Sequence, residues 1–420
     1  MVKAIVGLNW GDEGKGRMVD YFAGKADFVV RYQGGSNAGH TVVNEKGKFA
    51  FHSFPSGACY DQVQNIIAAG AVLNLEDFKV ELAAIKSQLS EFQLKISDRV
   101  ILTLPYHIEL EKLEEKRLKD KKYGSTLSGI APTYSDKYLK KGIQAGELFY
   151  PDYLKDRVRD IVEYKNLLLE SYGAAKLDWV RVYENILESG EIIKPYIADV
   201  GPLVAKALTD GKSILLEAQL GALRDISHGI YPFTTSSSVL SGYACASVPI
   251  PPNKINGVVG VTKAYSTCVG EGAFVSEIFD APADRIREVG KEYGAKTGRP
   301  RRIGYFDAVA TRYGCELQGA TEVVVTCLDV LSGLEELPIC TEYDVDGRNT
   351  DRFPVYAALL KAKPVYKTMP GWSEDITAAR SFDDLPAAAR DYLRTLEAEM
   401  GVRISYVSVG PERDSLVRMN

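Results

Sequence analysis

Histidine is scarce in this chain. There are four in 420 residues, each isolated from the others. A zinc site built from clustered His and Cys is therefore not signalled. The six cysteines, Cys59, Cys245, Cys268, Cys315, Cys327 and Cys340, form no CxxC pair and lie scattered. That usage fits reduced thiols in a cytoplasmic protein and not a disulfide framework. Long hydrophobic runs are lacking too. No apolar stretch approaches the roughly 20 residues a membrane helix needs. The opening MVKAIVGLNWGDEGKG has one early Lys and a short apolar run, which is not a signal peptide. A strong charge of one sign is also missing, since the formal net charge is -5. Nothing in that balance suggests a nucleic-acid or membrane partner. Repeats, low-complexity tracts and Pro/Ser linkers are absent. What remains is ordinary globular composition, 45% hydrophobic and 25% charged.

The order of elements reads as α/β. Residues 2–8 form an apolar, β-branched run and read as a buried strand, followed by a Gly-rich loop and an amphipathic helix over 15–23. Residues 26–32 read as a second strand, followed by another Gly-rich loop. Further buried strands are expected at 213–216, 257–261, 322–325 and 404–408. Helices are expected at 282–293 and 385–400, the latter stopped by Gly401. Buried strands alternating with helices imply a largely parallel central sheet with flanking helices. Residues 110–210 are rich in Lys, Glu, Leu and Tyr with a helical pattern. They read as a mainly helical insertion in a single domain spanning 1–420.

Five segments carry chemistry. The first is GLNWGDEGKGR, Gly7–Arg17. A Gly-rich loop between strand and helix offers backbone N–H groups and the positive helix end to phosphate. Lys15 adds a cation. The spacing is not the P-loop pattern. Acidic Asp12 and Glu13 sit inside the loop, where a carboxylate among phosphates must bind metal or take a proton. Asp12 therefore reads as a Mg²⁺ ligand or general base, or alternatively as the N-cap of the next helix. The second is QGGSNAGHT, Gln33–Thr41, at a strand end, where α/β sheets place ligands. Its His40 can donate to a transferred phosphoryl group, or sit as a surface residue on a tight turn. The third is GAKTGRPRR, Gly294–Arg302. Its arginines fit carboxylates and phosphates, a small dicarboxylate among them, or make a solvated basic loop. The fourth is VTCLDVL, where Asp329 can accept from the edge of guanine or simply end a strand. The fifth is SVGPERD, from Ser408 to Asp414, which can cover a base or ribose.

Taken together, WGDEGKG, QGG.NAGHT, LPYH, DISHGIYP, KAYST, TGRPRR, LDVL, MPGW and GPERD resemble the adenylosuccinate synthetase family in order and spacing along nearly the whole chain. The resemblance implies that family's P-loop-related α/β fold and a Mg²⁺-dependent homodimer. It implies a carbon–nitrogen ligase of purine biosynthesis. GTP phosphorylates the 6-oxygen of IMP, and the amine of L-aspartate then displaces that phosphate. By the same resemblance Asp12 is general base and Mg²⁺ ligand, Gly39 offers Mg²⁺ its carbonyl, His40 stabilises the transferring phosphoryl group, and Lys15 holds phosphates. The nucleotide site would comprise Gly11, Asp12, Glu13, Gly14, Lys15, Gly16, Arg17, Gly39, His40, Thr41, Arg301, Cys327, Leu328, Asp329, Ser408, Val409 and Gly410. The acceptor site would comprise Asn37, Ala38, Thr126, Lys140, Leu220, Thr235 and Arg299. Aspartate would meet Ala295, Lys296, Thr297, Gly298, Arg299 and Arg301.

The chain departs from the family at particular positions. Leu220 stands where a Gln amide would hold the inosine base, and Leu cannot make that bond. Gln219 could substitute only if the backbone shifted by one residue. The basic residue of the GTT-[KR]-GIGP loop becomes Ser128 or a neighbour. Lys140 replaces an Arg that reaches the partner subunit's acceptor phosphate, keeping charge but losing the fork. Cys327 replaces the Lys that stacks over guanine, Cys268 an Arg, and Lys296 a Thr. These changes fall in the acceptor and nucleobase pockets. They raise a second reading, the same chemistry on another oxo acceptor, such as a modified nucleotide, with ATP as an alternative donor. A third reading, a catalytically silent nucleotide-binding relative, is opposed by Asp12, Lys15, His40, Arg299 and Arg301.

Overall fold

Ten strands form one sheet because the apolar runs of the sequence are covered on both faces. The computed structural model describes residues 1–37, 39–294 and 298–419, with Val43 described in its backbone alone. In chain order the strands are β1 (Val2–Gly7), β2 (Phe28–Arg31), β3 (Gln64–Ile67), β4 (Gln93–Ser97), β5 (Ile197–Ala198), β6 (Ile214–Gly221), β7 (Ile255–Lys263), β8 (Glu322–Thr326), β9 (Ile404–Ser408) and β10 (Leu416–Arg418). They lie in the order β10-β9-β8-β7-β1-β6-β2-β3-β4-β5. Every neighbouring pair is parallel except β9 and β10. Ala4, Ile5 and Val6 of the central β1 are fully buried, as a strand covered on both faces must be.

Most expected elements appear near their expected bounds. The first helix is Lys15–Ala23, and β9 is Ile404–Ser408, both as read. The last helix starts at Ala387 and stops at Gly401, whose φ of 68° is left-handed. The helix expected to reach Tyr293 ends at Val289. β6 runs on to Gly221, past the apolar stretch, because buried Glu217 and Gln219 find partners there. A long antiparallel pair, Leu334–Val345 with Lys363–Trp372, was not anticipated. Its mixed burial pattern gives no clean alternation to read. Among the described residues no helix is long and apolar enough to cross a membrane.

The segment expected to be helical contains Ile130–Tyr138, Pro151–Ser171, Trp179–Gly190 and Val200–Thr209, and Pro105–Leu118 leads into it. It packs against the β3–β4 side of the sheet, where Phe78, Leu82 and Ile96 share a core with Leu148, Leu154, Ile161 and Ile186. Two of its helices and the one leading into it meet at one buried charge. Asp136 accepts from Lys165 Nζ at 2.5 Å and pairs with His107 Nε2 at 2.8 Å. Burial presses the Asp136 carboxyl upward, but His107 and Lys165 outweigh it and hold it below its ordinary range. Lys165→Met leaves that carboxylate without its cation. The unfolding free energy should fall by about 3–5 kcal/mol, measured by denaturant titration. A loss below about 1 kcal/mol would show that the ion pair behaves like an exposed one.

Candidate active site

The strand ends converge on one edge, and the loops that leave it build the site. After β1, Glu13 determines the loop's shape. Its carboxylate accepts the N–H of Asn9 at 3.1 Å and of Gly11 at 2.8 Å, and takes Lys15 Nζ at 2.6 Å. It lies in a slot that a Cβ on Gly221 would close, since that carbon would stand 2.3 Å from Glu13 Oε1. So Glu13, expected among the ligand-facing residues, is 2% exposed and turned inward. It fixes Lys15 at the head of the helix. Gly14 precedes that helix with φ 96° and no side-chain cap, so Asp12 is not the N-cap. Asp12 itself sits at φ 65°. It forms an ion pair with Arg301.

The loop after β2 leads to His40, which opens a short antiparallel pair, His40–Asn44 with Gly47–Phe51. His40 Nδ1 bonds the carboxylate of Glu217 on β6. Glu217 also accepts Ser56 N at 2.8 Å and Ser56 Oγ at 2.6 Å. Burial lowers the His40 imidazole below its ordinary value, against the opposing pull of Glu217. Burial acts to raise Glu217, but His40, Arg31 and Ser56 leave it lowered. Both directions describe a neutral ring with its proton on Nδ1, facing an ionised carboxylate, so Nε2 is left for a ligand. Gly16 keeps this contact close, since a Cβ there would lie 2.8 Å from His40 Cβ.

Arg17 joins the first helix to the loop after β9. It donates to Ser408 Oγ, to the Gly410 carbonyl at 2.6 Å and to the Glu412 carbonyl. Burial lowers its pKa, while Cys327 and Asp329 act the other way, so the loops after β8 and β9 share one corner. Burial raises Asp329 and pushes the Cys327 thiol up to about 11.

A cavity of about 970 Å³ lies against these loops. It is lined by Gly11, Asp12, Gly14, Lys15, Gly16, Arg17, Asn37, Gly39, His40, Thr41, Thr126, Leu220, Thr235 and Arg301. Asn37 Oδ1 is buried there without a partner among the described residues. Lys140, Gly298, Arg299, Cys327, Leu328, Asp329, Ser408, Val409 and Gly410 stand outside its lining. Ala38 and Ala295, Lys296 and Thr297 lie outside the described residues. Gln219 does not offer its amide to the cavity. Its side chain takes the N–H of Gly35 at 2.9 Å and donates to the Gly35 carbonyl at 2.8 Å, while Leu220, at φ 65°, faces the cavity. Sequence reading assigned no role to Glu217, Glu292, Glu111 or the Tyr231–Phe233 wall. A charged residue ending the apolar run of β6 was the one available signal for Glu217.

The family model described as adenylosuccinate synthetase matches residues 4–417. Adenylosuccinate synthetases of Bifidobacterium longum subsp. infantis and of Bifidobacterium longum strain DJO10A are each 43% identical over 419 residues, 99% of this chain and 98% of theirs. The fully ligated adenylosuccinate synthetase from Plasmodium falciparum superposes with a TM-score of 0.93 at 31% identity, covering 100% of both chains. A cyanophage S-2L succinoaminodeoxyadenylate synthetase, solved with dGMP and dATP as an energy donor, shares the fold at a TM-score of 0.62, with 18% identity over 99% of this chain and 95% of that one.

The His40–Glu217 pair can be tested directly. In the ligand-free protein the His40 imidazole should titrate below the ordinary histidine value of about 6.5, read from its NMR ring shifts. Glu217→Gln removes the group that raises it, so the value should drop further. A rise on that substitution would show that Glu217 does not hold the ring.

Proposed function

The chain belongs to the adenylosuccinate synthetase family, and from that membership we infer that it joins L-aspartate to IMP at the expense of GTP, a ligation of purine biosynthesis. The 6-oxo group of IMP is a poor leaving group and phosphate a good one. Phosphorylation followed by displacement with the aspartate amine divides one hard substitution into two easier steps, giving adenylosuccinate, GDP and phosphate. The observation that carries the reading is the cavity itself, which gathers Asp12, Lys15, His40 and Arg301 from three separate loops around one space.

The residue roles are those the family resemblance implies, and the cavity lining supports the ones given to Asp12, Lys15, Asn37, His40, Thr126, Thr235 and Arg301. Asp12, partly exposed at the cavity, takes the N1 proton of IMP. His40, steadied at Nδ1 by Glu217, presents Nε2 to the transferring phosphoryl group. Negative charge arriving with the phosphates favours its protonation, and with it donation. Lys15 and the uncapped helix start meet the phosphates. Asn37, Thr126 and Thr235 face the acceptor, and the partnerless Asn37 Oδ1 is available to it. Asp329 reads guanine, with Arg17 and Ser408–Gly410 beside it. Arg299 and Arg301 receive aspartate.

Among the described residues no three His, Cys, Asp or Glu side chains gather as a metal cage. Asp12 and the Gly39 carbonyl are hard oxygen donors on the same cavity. That sparse set suits Mg²⁺, which takes its remaining ligands from phosphates and water. Bound there, Mg²⁺ would offset charge on the transferring group.

Lys140 is exposed, at φ 61°, and outside the cavity lining. Its proposed contact with an acceptor phosphate belongs to a homodimer, in which it reaches the partner's site. The unpaired thiols fit a cytoplasmic setting. The changed-acceptor reading is not favoured. Relatives at 43% identity carry the synthetase name, whereas the relative bound to another nucleotide stands at 18%.

Phosphate release by the purified protein with Mg²⁺ and L-aspartate should depend on IMP and be faster with GTP than with ATP. Release that ignores IMP while aspartate still binds would return the acceptor to the altered Leu220 pocket. Asp12→Asn should lower kcat by about 10²–10⁴ as general-base catalysis is lost, with GTP binding retained by calorimetry. Unchanged turnover would exclude Asp12 as the base.

A further inference from the structure

Behind Arg301 lies a charge cluster that no assigned role explains. Glu292, just past the helix Ala281–Val289, is 1% exposed. Its two carboxylate oxygens each receive Lys263 Nζ at 2.7 Å. Tyr265 Oη and Arg301 Nη1 donate to the same carboxylate. Lys263 ends β7 and also donates to Thr267 Oγ1 at 3.1 Å, and Thr267 lines the cavity. The loop is pinned through its backbone as well, Arg301 N donating to the Glu292 carbonyl at 2.9 Å.

Charge counting shows what is missing. Lys263 and Arg301 are two cations sharing one buried carboxylate. Uncompensated buried charge is costly, so the cluster needs one more anion. In this structure Asp12 supplies it, paired with Arg301 Nη2. Arg301 Nε is buried and has no partner among the described residues. With Nη1 held by Glu292, the Nε–Nη2 edge of the guanidinium remains. That edge is a planar fork of the shape a carboxylate accepts bidentately.

We propose that Glu292 is the positioning residue for Arg301, fixing Nη1 so that the Nε–Nη2 edge faces the cavity and receives a carboxylate of L-aspartate. Lys263 and Tyr265 hold Glu292 in place for that task. An incoming carboxylate takes the edge that Asp12 occupies, replaces its charge in the cluster, and frees Asp12 from the ion pair. The inference rests on reading the loop through Arg301 as the aspartate loop.

The test is steady-state kinetics on the full chain with GTP, IMP and L-aspartate each varied. A charge-assisted hydrogen bond lost at one remove corresponds to about 10- to 100-fold in affinity. Glu292→Gln should therefore raise the KM for L-aspartate by about that factor, leaving the KM values for IMP and GTP and the kcat within about twofold. Arg301→Lys should raise the same KM, and adding Glu292→Gln to it should cost nothing more, because both act through one guanidinium. Circular dichroism and thermal melting check the fold. If Glu292→Gln does not fold, Lys263→Met with Glu292→Gln removes both buried charges together and must show the same aspartate-specific rise. A Glu292 variant with unchanged aspartate KM, or with equal losses for all three substrates, overturns the proposal while Arg301→Lys still costs aspartate affinity. An Arg301→Lys variant that leaves aspartate KM unchanged overturns the aspartate-loop reading and the proposal with it.

Discussion

An ionised carboxylate cannot stay buried without partners, and behind three basic groups of this cavity stand three buried carboxylates. Glu13, Glu217 and Glu292 are each at most 2% exposed. Each meets the constraint in the same way, by holding a basic side chain that itself borders the cavity. Glu13 holds Lys15, Glu217 holds His40, and Glu292 holds Arg301. The three basic groups come from different loops, yet each is oriented from behind by an acid that stands outside the cavity lining. The site is thus held by its inner wall. The loops supply the groups, and the buried acids supply their direction.

This division explains what was legible in the sequence. The loops after β1 and β2 could be read because glycine clusters at strand ends announce close backbone approach. Lys15–Ala23 and Ile404–Ser408 could be read because apolar period and stop signals agree there. The inner wall could not be read, because its pairings are long-range. His40 and Glu217 are 177 residues apart, and Lys263 and Glu292 are 29 apart across a strand end and a helix. No local pattern selects one glutamate among many as the partner of one basic residue. The antiparallel pair of Leu334–Val345 and Lys363–Trp372 escaped for a related reason. Its sides alternate between core and solvent irregularly, so neither helical nor strand period stands out.

The departures from the family pattern fall into a similar order. Gln219 is committed to both backbone groups of Gly35, and a Cβ on Gly34 would stand 1.5 Å from its Oε1. Its amide is structural, and the cavity receives Leu220 instead. A one-residue slip that might have rescued the lost amide is blocked by packing. Cys327, in the left-handed region at φ 60°, makes the bend ahead of Asp329 with a short thiol side chain in place of a long cationic stem.

The tie made by Arg17 bears on the order in which the chain can become itself. Arg17 belongs to the first helix, but the groups it grips lie 391 to 398 residues further on. During synthesis the helix that carries Arg17 emerges well before those partners, the first of which follows 391 residues later. The nascent protein therefore carries this corner unfinished until the loop after β9 has been made. Until that closure the guanidinium lacks the partners that fix it in the folded chain.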